Sequence, residues 1–195
     1  MRIIGLLLLF LVNCVTSSTQ LLKNQAGLPL LQCNLPVVVA ISSNVAPEHK
    51  EKIISAICYW NCILNTKAFV YLGEVDFNPT DVQDPHYLVI GYATTSDTPG
   101  EFTAARTSYS ESFKGCINES KIVIFFSDMT DLNRFETMMR HELGHVLGLA
   151  HSGFKEDLMY RKLSTKMPHV LRATRDEVIA LKNLYNLGGS CGQAN

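Results

Sequence analysis

The sequence predicts an α+β domain in which long helices pack on one mixed, mainly parallel five-stranded sheet. Three observations carry that reading. β-branched apolar runs of strand length dominate the first two thirds of the chain, apolar residues at helical spacing fill one segment among them and two more near the C-terminal end, and no repeat or low-complexity segment breaks the order. The 195 residues suit one domain, and a hydrophobic content of 47% is ample for a single core. Seventeen Lys and Arg against eighteen Asp and Glu leave a net charge of −1. That balance excludes a disordered chain, which needs low hydrophobicity and high charge, and a nucleic-acid binder, which needs a basic excess.

Part of the apolar content lies outside any core. Met1 and Arg2 precede an apolar run from Ile3 to Val12, and small or polar residues follow to Thr19. Residues 1–18 therefore read as a secretory signal peptide, with Thr16 and Ser18 at the −3 and −1 positions of a cleavage site. The run is too short for a stable membrane span. A retained anchor, or a lipid attached at Cys14 in a lipobox-like Leu11-Val12-Asn13-Cys14, is the alternative. Secretion makes residues 19–195 the mature domain, with its core over about 35–187, and places it in an oxidising compartment. Cys33, Cys58, Cys62, Cys116 and Cys191 are then disulfide candidates whose connectivity stays open, and their odd number leaves one over. Cys58 and Cys62 share a helix face and are poor partners for each other.

Leu35–Ile41 reads as the first strand, and Pro47 to about Leu64 as an amphipathic helix with Ile53, Ile57, Trp60 and Leu64 inward. Ala68–Leu72, Tyr87–Tyr92, Phe102–Tyr109 and Lys121–Phe126 supply four more strands, with Ser110–Asn118 as a turn. That turn carries Asn118-Glu119-Ser120, a glycosylation sequon. Asp131 then caps a helix whose apolar period runs to Gly148, an irregular stretch covers Leu149–Arg172, and Thr174-Arg175-Asp176-Glu177 forms a capping box for a last helix that stops before Gly188.

The second helix carries His141-Glu142-Leu143-Gly144-His145-Val146-Leu147-Gly148-Leu149-Ala150-His151. Histidines four apart project from one helix face and converge on one ion, and neutral imidazole suits Zn²⁺. Glu142, beside the first ligand, is placed to reach a water on the metal. Gly148 ends the helix so that the chain bends back and brings His151 to the same ion. Three protein ligands leave a fourth position open, as in a catalytic zinc site. The short H-E-x-x-H pattern alone arises by chance in under about 1% of chains of this length, and the added Gly and His make coincidence far rarer.

This extended motif resembles that of the metzincin zinc peptidases. Asp157-Leu158-Met159-Tyr160 is similar to the methionine turn of that clan, and His151-Ser152 with Leu158-Met159-Tyr160 looks most like the matrixin, or matrix metalloproteinase-like, branch. The resemblance implies a secreted zinc endopeptidase acting on protein or peptide substrates, in or around extracellular matrix. It implies one catalytic zinc on His141, His145 and His151, Glu142 as general base, Met159 as the floor of the site, and a monomer. A catalytically idle protein-binding module of the same shape is the alternative, against which the intact Glu142 argues. A second zinc is not expected, because His86 is the only histidine between Gly73 and Ser110. Asp76, Asp81, Asp84 and Asp97 are candidate calcium ligands without a clear motif, and Cys33-Asn34-Leu35-Pro36 faintly resembles an inhibitory cysteine switch. By analogy, an extended substrate pairs with a sheet edge within Phe102–Tyr109.

Overall fold

A computed structural model describes residues 19–77, 79, 87–93, 104–112, 114–162 and 169–187. The expected signal peptide, Cys14, Asp81, Asp84, His86, Asp97, Gly188 and Cys191 lie outside these residues. The element order is β1 (Leu31–Gln32), β2 (Val37–Ser42), α1 (Pro47–Leu64), β3 (Phe69–Val75), β4 (Leu88–Tyr92), β5 (Ala105–Glu111), β6 (Cys116–Ile124), α2 (Leu132–Val146) and α3 (Arg175–Leu184). Three helices and one mixed sheet among the described residues confirm the α+β expectation.

Among the described residues the sheet has six strands where five were expected. The addition is β1, a two-residue strand with no periodicity to read, which pairs in parallel with Cys116 and Ile117 at the start of β6. Beside it, Cys33 and Cys116 form a disulfide with a Cα–Cα distance of 5.3 Å across a sequence separation of 83. Closing a loop of that length restricts the unfolded chain and stabilises the fold by about 4.5 kcal/mol in the chain-entropy picture. The pairs β2·β3, β2·β4 and β4·β6 are all parallel. Among the described strands only β5 runs antiparallel, along β6 from Ala105↔Ile124 to Glu111↔Ile117.

Strand β6 begins at Cys116, well before the expected Lys121, so Asn118 lies in a strand and not in a turn. Its first half is polar and reads as a loop, but the partner strand decides. A tight hairpin closes through Ser112 and Gly115, with Gly115 at φ 83°, and fixes the register. At its far end, Phe125 N–H donates to the Ala104 carbonyl. The two-residue repeat of an antiparallel ladder then turns the main-chain groups of Ala105, Thr107 and Tyr109 away from β6. Among the described residues nothing else pairs with β5, so it is a free edge.

Helix α1 crosses over between parallel strands β2 and β3 and ends at Asn65 in the left-handed region, where Asn61 brackets the Phe69 main chain with two 2.9 Å hydrogen bonds. It fixes α2 by several contacts. The His49 ring stacks on Phe135 at 3.8 Å, Trp60 Nε1 donates to the Arg140 carbonyl, and buried Glu136 accepts from Ser55, Lys52 and Arg140. The core extends N-terminal to the expected Leu35. Leu30 is fully buried, and Leu21 bridges Leu149.

Candidate metal centre

Helix α2 begins as expected, with the Asp131 carboxylate accepting from the N–H groups of Asn133 and Arg134. Fourteen residues later His145 follows His141 by one turn, and both project toward the segment beyond the helix. Each ring is oriented by a carbonyl. His141 Nδ1 lies 2.8 Å from the Leu158 oxygen and His145 Nδ1 2.7 Å from the Leu149 oxygen. A carbonyl only accepts, so each Nδ1 carries the proton and each Nε2 keeps a bare lone pair.

The chain reverses at Gly148, whose φ is +99°. A Cβ at this position would collide with the Leu30 carbonyl oxygen. The turn is held from outside by Leu22 N–H on the Gly148 carbonyl and by Ala150 N–H on the Gln20 carbonyl. Half-buried Tyr185 adds a hydroxyl that accepts from Gln32 N–H and donates to the Leu147 carbonyl. Past the turn, His151 Nε2 comes to 3.2 Å from His145 Nε2. The ligating atoms of His141, His145 and His151 lie within 4.8 Å of one another, the only such His/Cys/Asp/Glu group among the described residues.

This donor set fits zinc. Two nitrogens at ~2.0–2.1 Å from a tetrahedral ion stand roughly 3.3 Å apart, close to the 3.2 Å between His145 and His151. Burial pushes His141 and His145 down from the ordinary 6.5 to about 4, and burial also lowers His151, with Arg161 nearby adding to it. All three are therefore neutral at pH 7, the state a metal requires.

The same shifts give a pH prediction. Unfolding returns His141 and His145 from about 4 to 6.5, so their contribution to stability is complete above pH 6.5. It is lost as pH falls from 6.5 toward 4, where the unfolded chain binds protons that the folded chain does not. Urea midpoints of the metal-stripped protein should decline across that window. Equal midpoints at pH 7 and pH 4.5 would contradict it.

Glu142 is buried, and its Oε2 lies 2.6 Å from Thr107 Oγ1 on β5. Met159 is buried under the helix, with its Sδ only 2.6 Å from where a Cβ on Gly144 would stand. The segment His151–Tyr160 is closed on itself. Ser152 N–H donates to the Met159 carbonyl, and the Ser152 hydroxyl donates to the buried Asp157 carboxylate. Glu177, visible in the sequence only as part of a capping box, also accepts from Met159 N–H at 3.0 Å. Burial raises its pKa. Glu177→Ala strands two N–H donors, that of buried Met159 and that of half-buried Thr174. A cost of about 2–3 kcal/mol is expected in urea denaturation, and Glu177→Gln should recover at most half of it, because its single amide oxygen accepts from one donor while its NH2 group faces the other.

The structure thus brings His141, Glu142, His145, Gly148, His151 and Met159 together. Asn118 stands apart in β6, and Asp76, at the end of β3, joins no metal-binding group among the described residues. Cys33 is paired with Cys116, so its thiol is not available to the metal, while Cys58 and Cys62 are free and exposed on α1. Thr107 was not foreseen as part of the centre and reaches it by tertiary contact alone, while Asp157 and Glu177 were read only as members of the methionine turn and of a capping box.

The family model described as matrixin matches residues 74–186, more than half of the chain and all of α2 and α3. The chain belongs to the matrixin family. Stromelysin-1 from Equus caballus is 32% identical over 117 residues, which is 60% of this matrixin. The matched region spans only 24% of the length of stromelysin-1. Among solved structures, archaemetzincin from Methanopyrus kandleri superposes with a TM-score of 0.54 at 14% identity, covering 80% of this matrixin and 99% of that chain. At that identity the superposition shows a shared metzincin-type fold. No helix among the described residues is long and apolar enough to cross a membrane.

Proposed function

We propose that this matrixin is a secreted, zinc-dependent endopeptidase with His141, His145 and His151 as metal ligands and Glu142 as general base. The observation that carries the reading is the convergence of three imidazole nitrogens within 4.8 Å, beside a buried carboxylate on the same helix. Bound there, zinc supplies Lewis acidity to a water and to the scissile carbonyl.

The protein groups do the rest. The Leu158 and Leu149 carbonyls hold the two helix imidazoles in one tautomer, so both lone pairs point to one place. Glu142 takes the proton of the attacking water and delivers it to the leaving amine, which avoids expulsion of an amide anion. Met159, packed against Gly144, forms an apolar floor under the helix that carries His141 and His145. An extended substrate adds to the free edge of β5 through the main chain of Ala105, Thr107 and Tyr109, which places its scissile bond beside Glu142.

Residues 1–18 direct export and 19–195 form the mature, monomeric domain. Its substrates are proteins of the extracellular space, matrix proteins included, and Asn118 is glycosylated where the host permits. The Cys33–Cys116 disulfide supports this compartment, since such bonds persist in oxidising surroundings. The test is cleavage of a broad peptide library by the purified mature chain. Cleavage that stops with a chelator and returns with zinc is expected. Full zinc occupancy without cleavage would favour the idle binding module.

A further inference from the structure

We propose that Thr107 is a positioning residue that holds the general base. Its hydroxyl fixes the Glu142 carboxylate on the side of the metal centre that faces strand β5. The inference rests on the endopeptidase reading above and assigns a role to a residue outside the metal-binding motif.

Two features of Thr107 meet at one point. Its Oγ1 lies 2.6 Å from Glu142 Oε2 and 3.2 Å from the Glu142 main-chain oxygen. One hydroxyl proton serves both acceptors, and the shorter contact and the charge direct it to the carboxylate. Oε2 is thereby engaged, which leaves Oε1 to receive the proton of the attacking water. The main chain of the same residue faces the free edge of β5, because the ladder to β6 uses the residues on either side of it.

One residue therefore touches both partners of the reaction, its side chain the base and its backbone the incoming peptide strand. Docking of a substrate on β5 then sets the scissile bond and the base in a common frame. A Glu side chain has three rotatable bonds and, without this tie, samples orientations in which neither oxygen faces the water. Helix α2 alone cannot prevent this, since it fixes only the Glu142 backbone.

Thr107→Val is the informative variant, because it keeps the shape and β-branching of the side chain and removes only the hydroxyl. On an extended peptide substrate the zinc-loaded mature chain should lose roughly 10- to 100-fold in kcat, the range for a lost bond to a charged group. KM should stay within about twofold and zinc at wild-type stoichiometry, the signature of an interaction that matters to the chemical step alone. Thr107→Ser, which restores the hydroxyl, should recover kcat to within about threefold of wild type. Thr107→Ala should behave as Thr107→Val does, and it serves if the latter folds poorly.

Calorimetric binding of acetohydroxamate to the zinc-loaded protein gives a readout apart from turnover. Its hydroxyl proton is shared with the base, so affinity should fall about tenfold in Thr107→Val. A kcat within twofold of wild type, a change confined to KM, or Thr107→Ser as impaired as Thr107→Val would overturn the proposal. If the wild-type chain holds zinc and cleaves nothing, the endopeptidase reading fails. Acetohydroxamate affinity then decides separately, and equal affinity in wild type and Thr107→Val overturns the role of Thr107.

Discussion

Glu142→Gln should keep zinc bound and lose roughly 10²- to 10⁴-fold in kcat, the range that a positioned general base contributes. Gln preserves the volume of the side chain, and its amide oxygen still accepts the Thr107 hydroxyl that now reaches Oε2 at 2.6 Å. The fold is therefore left intact. What disappears is a group able to take a proton from water and pass it to the leaving amine. His141 and His145 keep their orienting carbonyls, because neither contact passes through Glu142. Steady-state kinetics with metal analysis of the same samples checks this. Loss of zinc in parallel with activity would assign Glu142 to the metal site itself, and unchanged kcat would remove it from the mechanism.

Gly148→Ala should be the most damaging substitution outside the ligands. At φ +99° any Cβ is strained, at about 1–3 kcal/mol, and here it also meets the Leu30 carbonyl oxygen and, at 3.3 Å, the Leu184 side chain. Leu30 cannot yield freely, because it is fully buried and its N–H is bonded to the Leu22 carbonyl. The strain falls on the turn that carries His151. A stability loss of about 3 kcal/mol or more is expected, together with weaker zinc retention. Thermal denaturation with and without zinc measures both. Wild-type stability and zinc content in Gly148→Ala would show that the turn tolerates other backbone angles.

The centre was legible in the sequence where its parts are local. His141, Glu142 and His145 follow one helical period, Gly148 marks the helix end, and His151 lies three residues on, so spacing alone brings them together. The capping box at Thr174 was legible for the same reason. Thr107 was not, because a threonine in a polar strand looks like any other until β5 is seen against α2. Glu177 shows only its local half in the sequence, and its bond to Met159 N–H joins residues 18 positions apart. The polar start of β6 reads as a turn because register, set by β5, outweighs propensity there. Residues 20–22 precede the core expected from about residue 35, yet their main-chain bonds brace the Gly148 turn.

The central claim is that three histidines hold one catalytic zinc. X-ray absorption at the zinc edge, on the mature chain loaded with one equivalent, tests it most directly. The account predicts a first shell of three imidazole nitrogens and one light oxygen donor at about 2.0–2.1 Å, lost in His145→Ala. A shell containing sulfur at about 2.3 Å, with binding that survives His145→Ala and vanishes when Cys58 and Cys62 are replaced, would contradict it.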